Sequence, residues 1–295
     1  MPELPDVLLY VSALERLLRG ATIRQLHIRS PFVLRTFEPD PSNIDGKCIE
    51  GFSHRGKRIV WHLEGDRHLV FHPMVAGRFH WKTKDVRPTG KNDLLAVATD
   101  CGTLMFTEAS SKKRAGLWIL CSLDAVNALD PGGLDVLTCT TAEFRERLQS
   151  ENNTLKRALA DPRRFTGIGN AYGDEILHAA RLSPLRKTQQ LSDEEVVKLH
   201  NAVRQCLTEW IERLAKKWGD KFPEKVTAFH PEMAVHGKFD QPCPVCAAPV
   251  QRIRYADNEC NYCARCQTGG RVLADRSLSR LLKDNWPRNI DELES

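Results

Sequence analysis

Apolar residues fall at Val7, Leu8, Val11, Leu14, Leu17 and Leu18, the three-and-four spacing that lines one face of a helix. The chain therefore starts as a short strip, Met1 to Asp6, feeding directly into an amphipathic helix. After Gly20 the period shortens. Thr22 to Ile28, Val33 to Phe37, Arg58 to Leu63, His68 to Phe71, Leu94 to Thr99 and Thr103 to Thr107 read as strands of an antiparallel sheet, with one hairpin turning at Asp100-Cys101-Gly102. Asp130-Pro131-Gly132-Gly133 closes this region as a linker. Helical signals dominate beyond about residue 140. Thr141 is a candidate N-cap, Ser192-Asp193-Glu194-Glu195 has capping-box form, and Val196 to Leu214 follows in helical register. Asp174 to Ala180 is helix-like too. Short strands and turns return over 241–270, and a short helix near Leu278 to Leu282 stops at Trp286-Pro287. The pattern predicts an α+β multidomain chain: a β-rich domain over 1–130, a helical domain over 131–240, a cysteine module over 241–270 and an extension over 271–295.

At 295 residues, with 41% hydrophobic and 27% charged, the composition is that of a globular protein rather than a disordered one. No apolar run approaches the eighteen or so residues of a membrane span, and the start lacks the basic and apolar regions of a secretory signal. A cytoplasmic, chromosome-associated protein without a membrane partner is expected. The formal net charge of +5 permits a polyanionic partner. His54-Arg55-Gly56-Lys57-Arg58, Lys112-Lys113-Arg114, Lys156-Arg157 and Arg163-Arg164 are basic knots. Each alone is an ordinary solvated loop, whereas several on one face would track phosphates.

Ten cysteines in a chain that is not exported argue for metal or buried thiols over disulfides. Four have metal spacing: Cys243-Pro244-Val245-Cys246 and, after sixteen intervening residues, Cys263-Ala264-Arg265-Cys266. Two such knuckles bring four thiolates into tetrahedral reach of one ion, the arrangement of a structural zinc with no open position. Ala247 to Tyr262 is long enough for a two-stranded hairpin with its tip near Tyr255-Ala256-Asp257-Asn258. The other six cysteines read as small buried hydrophobes. Thr166-Gly167-Ile168-Gly169-Asn170-Ala171-Tyr172 precedes a helix, where glycines let backbone amides approach an anion and Asn170 adds a donor. A tight turn is the plainer reading of the same glycines. Lys156 reaches that anion if its helix packs alongside. At the other end of the chain, removal of Met1 would free the secondary amine of Pro2, whose α-amino type titrates near 7.7 to 8.0, roughly two and a half units below a lysine. Such an amine forms a Schiff base without an activating partner, and Glu3 beside it can move protons.

In combination and in order, Pro2-Glu3-Leu4-Pro5-Asp6, Gly56-Lys57, Gly167-Ile168-Gly169-Asn170-x-Tyr172 and the four-cysteine module resemble the Fpg/Nei family of DNA glycosylases over roughly residues 2 to 267. The resemblance implies an N-terminal β-sandwich with flanking helices, a helix-two-turn-helix domain, a C-terminal β-hairpin zinc finger, and DNA bound between the domains. It implies a bifunctional DNA glycosylase and abasic-site lyase: Pro2 attacks C1′ of a damaged nucleotide, Glu3 assists ring opening and proton transfer, and Lys57 contacts the backbone beside the lesion. Lys156 and Asn170 fall at phosphate-binding positions, Lys113 and Arg114 in a DNA-contacting loop. Cys243, Cys246, Cys263 and Cys266 match the ligands of one Zn2+; no organic cofactor is implied. The partner is damaged DNA, duplex or partly single-stranded, bound by a monomer.

Three departures bear on the substrate. Typical members carry an arginine five residues before the third cysteine, where this chain has Asn258, leaving Arg252 or Arg254 as the candidates to compensate. The residues that plug the vacated base stack differ, with Val75 and Ala115 at positions usually held by methionine and phenylalanine. Twenty-nine residues follow Cys266. These departures keep two alternatives in view: a non-catalytic zinc-containing damage-binding protein, and a glycosylase for unusual lesions such as bulky adducts, crosslinks or single-stranded sites.

Overall fold

The computed structural model describes residues 1–255, 258–274 and 287–294. The helix expected near Leu278 to Leu282 and the hairpin-tip residues 256 and 257 lie outside them. The chain divides into two compact units, one formed by Met1–Pro131 with Trp210–Thr227, the other by Gly132–Glu209 with Ala228–Ser295.

The first unit is a sandwich of two antiparallel four-stranded sheets. One has the order β1 (Ile23–Ile28), β6 (Asp93–Thr99), β7 (Thr103–Glu108), β5 (Gly77–Lys82); the other has the order β2 (Ile49–Arg55), β3 (Arg58–Leu63), β4 (Arg67–His72), β8 (Gly116–Leu120). Helix α1 (Leu4–Leu18) buries Val7, Tyr10, Leu14 and Leu18 against Ile59, Trp61 and Leu63 of β3. Phe71, Phe79 and Phe106 meet between the sheets with ring centroids 4.9 to 5.4 Å apart. Each such side chain contributes about 1.5–3 kcal/mol when fully buried. Val60 and Val70 point the other way, into a second cluster under helix α2 (Leu123–Asn127). β3 and β4 are covered on both faces, which explains their near-continuous apolar sequence.

Val33 to Phe37 is not a strand. Pro31 opens a tight turn through Val33, only Leu34 bridges to Leu117, and Phe37 is fully exposed. Conversely β2, β5 and β8 went unread in the sequence.

In the second unit α3 (Thr141–Gln149) is capped by Thr140, one residue before the expected position, in a capping box with Glu143. α4 (Leu155–Ala160) packs beside α5 (Asn170–Ala179), which begins four residues earlier than its pattern indicated. α6 (Asp193–Trp218) starts where Ser192 and Glu195 exchange cap hydrogen bonds. The finger is the expected hairpin, β9 (Gln251–Tyr255) with β10 (Asn258–Tyr262), followed by α7 (Ala264–Thr268).

The extension folds back on the finger. Arg271 bridges Asn289, the Val272 N–H donates to the Arg288 carbonyl and the Ile290 N–H to the Gly270 carbonyl, and Val272, Leu273 and Ile290 join the finger core.

Candidate active site and nucleic-acid interface

In the first unit the strip ahead of α1 is buried. Glu3 is the N-cap, its backbone N–H donates to Asp6 Oδ2 at 2.9 Å, and the two acidic side chains form a reciprocal capping box. Pro5 sits in the first turn, where its missing N–H costs nothing. Pro2 and Glu3 are thereby held against a rigid helix start. With Met1 attached, the Pro2 nitrogen is an amide; its removal makes it a secondary amine. The α-amine of Met1 is held below its usual range chiefly by burial and further by Arg78 and Lys57, while Glu3 and Asp6 oppose the shift. That balance places Glu3, Asp6, Lys57 and Arg78 in the field of the terminus.

Lys57 follows Gly56, whose φ of +57° closes the tight β2–β3 turn between Arg55 and Arg58. His72 at the end of β4 is pushed down to about 4 by burial, with Arg58 and Lys57 adding to the effect. It is therefore neutral at pH 7, a hydrogen-bonding group among cations. Arg78, which sequence reasoning missed, donates to the carbonyls of Val75 and Gly77. Alternation along β5 signals an outward side chain there but not its neighbours.

Two loops of this unit carry the expected plug positions. His72 to Gly77 folds so tightly that a Cβ on Gly77 would lie 2.3 Å from the Pro73 carbonyl, and Val75 stands at its tip, 59% exposed. In the second loop Glu108, buried, accepts the N–H groups of Arg114 and Ala115, and Lys113 donates to the Glu108 carbonyl. Lys113 and Arg114 are exposed on this tied loop, whereas Ala115 is core and offers no wedge.

The second unit is organised around α5. Lys156, reaching over from α4, donates to the Asn170 carbonyl and to Asp174 Oδ1 at 2.5 Å. Gly173 leaves it room: a Cβ there would meet Lys156 Nζ at 3.3 Å. The other Asp174 oxygen takes His236 Nδ1 at 2.8 Å and the backbone N–H of Asn261 at 3.1 Å. Glu175 accepts three successive backbone N–H groups, from Ala234, Val235 and His236. Asn170 Nδ2 donates to the Glu259 carbonyl of the finger at 2.8 Å. The predicted phosphate ligands Lys156 and Asn170 thus sit together at the start of α5, and Asn258 stands exposed at the hairpin end.

Cys243, Cys246, Cys263 and Cys266 bring their sulfurs within 4.8 Å of one another. Sγ–Sγ distances of 3.4 Å for Cys246 and Cys263 and 3.9 Å for Cys243 and Cys266 bracket the roughly 3.8 Å edge of a tetrahedron with 2.3 Å metal–sulfur bonds. The Cys266 N–H points at Cys263 Sγ, and His178 Nε2 lies 3.3 Å from Cys243 Sγ, so the ligand shell is hydrogen-bonded. Among the described residues this is the one group of His, Cys, Asp or Glu side chains close enough to hold a metal ion.

A buried Pro2-Glu3 terminus set on a β-sandwich, and separately a helix start braced by a cysteine hairpin, are the features of a helix-two-turn-helix DNA glycosylase. Residues 1–114 match the formamidopyrimidine-DNA glycosylase N-terminal domain, and residues 133–220 match the formamidopyrimidine-DNA glycosylase H2TH domain. The formamidopyrimidine-DNA glycosylase of Thermus thermophilus is 31% identical over 280 residues, covering 92% of this chain and all of that one. That of Lactococcus lactis is 29% identical over 280 residues, covering 90% and 99%. The solved complex of Lactococcus lactis Fpg with abasic-site DNA superposes with a TM-score of 0.79 at 26% identity over 90% of this chain and 99% of that one. A complex of MutM with DNA containing carbocyclic 8-oxo-G gives the same score and identity over 90% and 100%. The chain belongs to the formamidopyrimidine-DNA glycosylase family and is a base-excision repair enzyme. Among the described residues no helix is long and apolar enough to cross a membrane.

Proposed function

We propose that Pro2 is the nucleophile of a bifunctional glycosylase and abasic-site lyase acting on damaged DNA in the cytoplasm, with Glu3 as its proton shuttle and Lys57 as a backbone contact. The observation that carries this reading is the buried Pro2-Glu3 strip locked by Asp6 in a field shared with Lys57 and Arg78. The neutral Pro2 amine attacks C1′ of a flipped nucleotide, the C1′–N bond breaks, and the base leaves with a proton. Ring opening, with Glu3 delivering a proton to the sugar ring oxygen, gives an iminium linking Pro2 to C1′. Loss of a C2′ proton then expels the 3′ phosphate by β-elimination, and hydrolysis frees the amine.

Lys156 and Asn170 hold phosphate at the start of α5, Lys113 and Arg114 contact the DNA from their loop, and Asn258 adds a neutral donor. Four thiolates suit Zn2+, which would hold the finger without touching the chemistry. No organic cofactor is needed.

Borohydride trapping on abasic-site duplex tests this directly. Processed protein should form a covalent adduct that Pro2→Gly with a blocked amine does not form. Equal trapping by the blocked variant, or none by the processed protein, excludes Pro2; the second result, together with lesion-preferring binding, would favour the damage-binding reading. The neutral Asn258 and buried Ala115 favour a substrate other than 8-oxoguanine paired with cytosine, and excision across a panel of oxidised, adducted and crosslinked bases decides between them.

A further inference from the structure

One face of the finger hairpin ends in an aromatic ring and an amide, Tyr255 and Asn258. Paired residues of an antiparallel ladder project to the same side. In the β9–β10 register Asn258 pairs with Tyr255, and Cys260 with Ile253, so these four share a face. Arg252, Arg254, Glu259 and Asn261 share the other. The arginines of β9 therefore do not stand in for a cation at position 258. Arg252 is held elsewhere, its guanidinium 3.9 Å from the Phe239 ring centroid and 3.8 Å from Glu259.

The face bearing Asn258 has a definite neighbour. Cys260 lies in the field of Asp174 and Lys156, at the helix start where Asn170 is bound to the finger. Two residues outward, about 7 Å along an antiparallel strand, the same face emerges into solvent as Asn258 and Tyr255. Tyr255 is 43% exposed. Lys156, the cation of that helix start, has its charge balanced by Asp174. What the finger presents beside that helix start is thus a phenol ring and an amide.

We propose that Tyr255 is a specificity-determining residue that stacks on an unpaired base next to the lesion, while Asn258 donates to the adjoining phosphate, so that the enzyme favours lesions in single-stranded or bubble DNA. The proposal rests on the reading of the chain as a DNA glycosylase. A π-face is open only when a base has left its duplex stack, and stacking of this kind is sequence-tolerant and insensitive to salt, unlike an arginine–phosphate contact.

The test uses full-length, processed, zinc-loaded protein and oligonucleotides carrying a tetrahydrofuran abasic analogue in single-stranded, bubble and duplex form. Binding is followed by fluorescence anisotropy from 50 to 300 mM salt. Tyr255→Ala should weaken single-stranded and bubble binding about 5- to 100-fold and leave the salt slope unchanged. Tyr255→Phe should retain wild-type affinity, and Asn258→Arg should steepen the slope by about one and shift preference towards duplex. Unchanged binding in Tyr255→Ala, equal losses on duplex and single strand, or a loss in Tyr255→Phe matching that in Tyr255→Ala overturns the proposal. Borohydride trapping of the wild type on a true abasic site runs alongside. No trapping sinks the glycosylase reading itself, whereas normal trapping with a silent Tyr255→Ala sinks only this inference. Wild-type zinc content in each variant shows that the finger is folded.

Discussion

Asp174 Oδ1 lies 2.5 Å from the ammonium of Lys156, with the carboxylate fully buried and the lysine nearly so. One carboxylate therefore neutralises the Lys156 cation and, through its other oxygen, fixes His236 and the Asn261 backbone of the finger. Removing one partner of such a pair leaves an uncompensated buried charge. Asp174→Ala is expected to cost about 3–5 kcal/mol, and the double variant Asp174→Ala with Lys156→Ala to cost less than the single one. Urea denaturation read by tryptophan fluorescence checks both; a double variant that is less stable than the single one would show that the lysine charge is not what the carboxylate balances.

His72 makes stability depend on pH. Its folded-state value near 4 lies below the ordinary 6.5 because burial, then Arg58, then Lys57, disfavour the charged ring. The unfolded chain therefore binds the proton first on acidification. The native state keeps its full advantage above pH 6.5 and loses it progressively down to about pH 4, on the order of 2–3 kcal/mol in all. Comparing urea midpoints of wild type and His72→Gln at pH 7.0 and 4.5 isolates this contribution: the variant should lose less stability than the wild type, and parallel losses would contradict the assignment.

What the sequence made legible follows from where its meaning is local. The α1 face, β6 and β7 announce themselves because burial is one-sided or continuous along the element, and the cysteine knuckles because ligand spacing is a short-range constraint. β2 stayed hidden because it is an edge strand. Gly51, Ser53, His54 and Arg55 interrupt its apolar pattern, and Ser53 instead enters a hydrogen-bond chain through His62 and His68 to Asp66. Val33 to Phe37 misled for the opposite reason, since its apolar residues are split by a proline turn that buries Val33 in the core and leaves Phe37 in solvent. The roles of Asp174, Glu175 and Arg78 were invisible because their partners are either about sixty residues away or arranged by the folded terminus.

Arg78 should set the pH profile of the proposed Pro2 nucleophile. Burial first, and Arg78 and Lys57 after it, hold the α-amine of Met1 below its usual range; after removal of Met1 the Pro2 amine is expected to face the same two cations. A depressed amine is neutral, hence nucleophilic, at lower pH. Arg78→Ala removes a cation and should raise the acid limb of the trapping rate, slowing Schiff-base formation near pH 6–7 while leaving it unchanged above about pH 9. Single-turnover trapping across pH 5–10 measures the limb; a uniform decrease at every pH would instead assign Arg78 to binding.

The described residues of the C-terminal extension are a structural part of the finger. Val272, Leu273 and Ile290 join Val250, Ile253 and Tyr262 in one core, the Tyr262 hydroxyl accepts the Leu273 N–H at 2.7 Å, and Arg265 reaches Asp291 at 3.2 Å. A four-cysteine module ordinarily depends on its metal for folding, because so short a segment buries little apolar surface. Here that surface is enlarged from outside the cysteine span. Ile290→Ala, which leaves a cavity at a site 1% exposed, should cost about 2–5 kcal/mol within this subdomain. Truncation after Gly270 should cost more, and in both variants zinc should pass faster to a competing chelator than in the intact chain. Chelator-competition kinetics, with hydrogen exchange over 241–273, check this. Equal zinc release rates with unchanged protection of β9 and β10 would mean that the extension packs on the finger without supporting it.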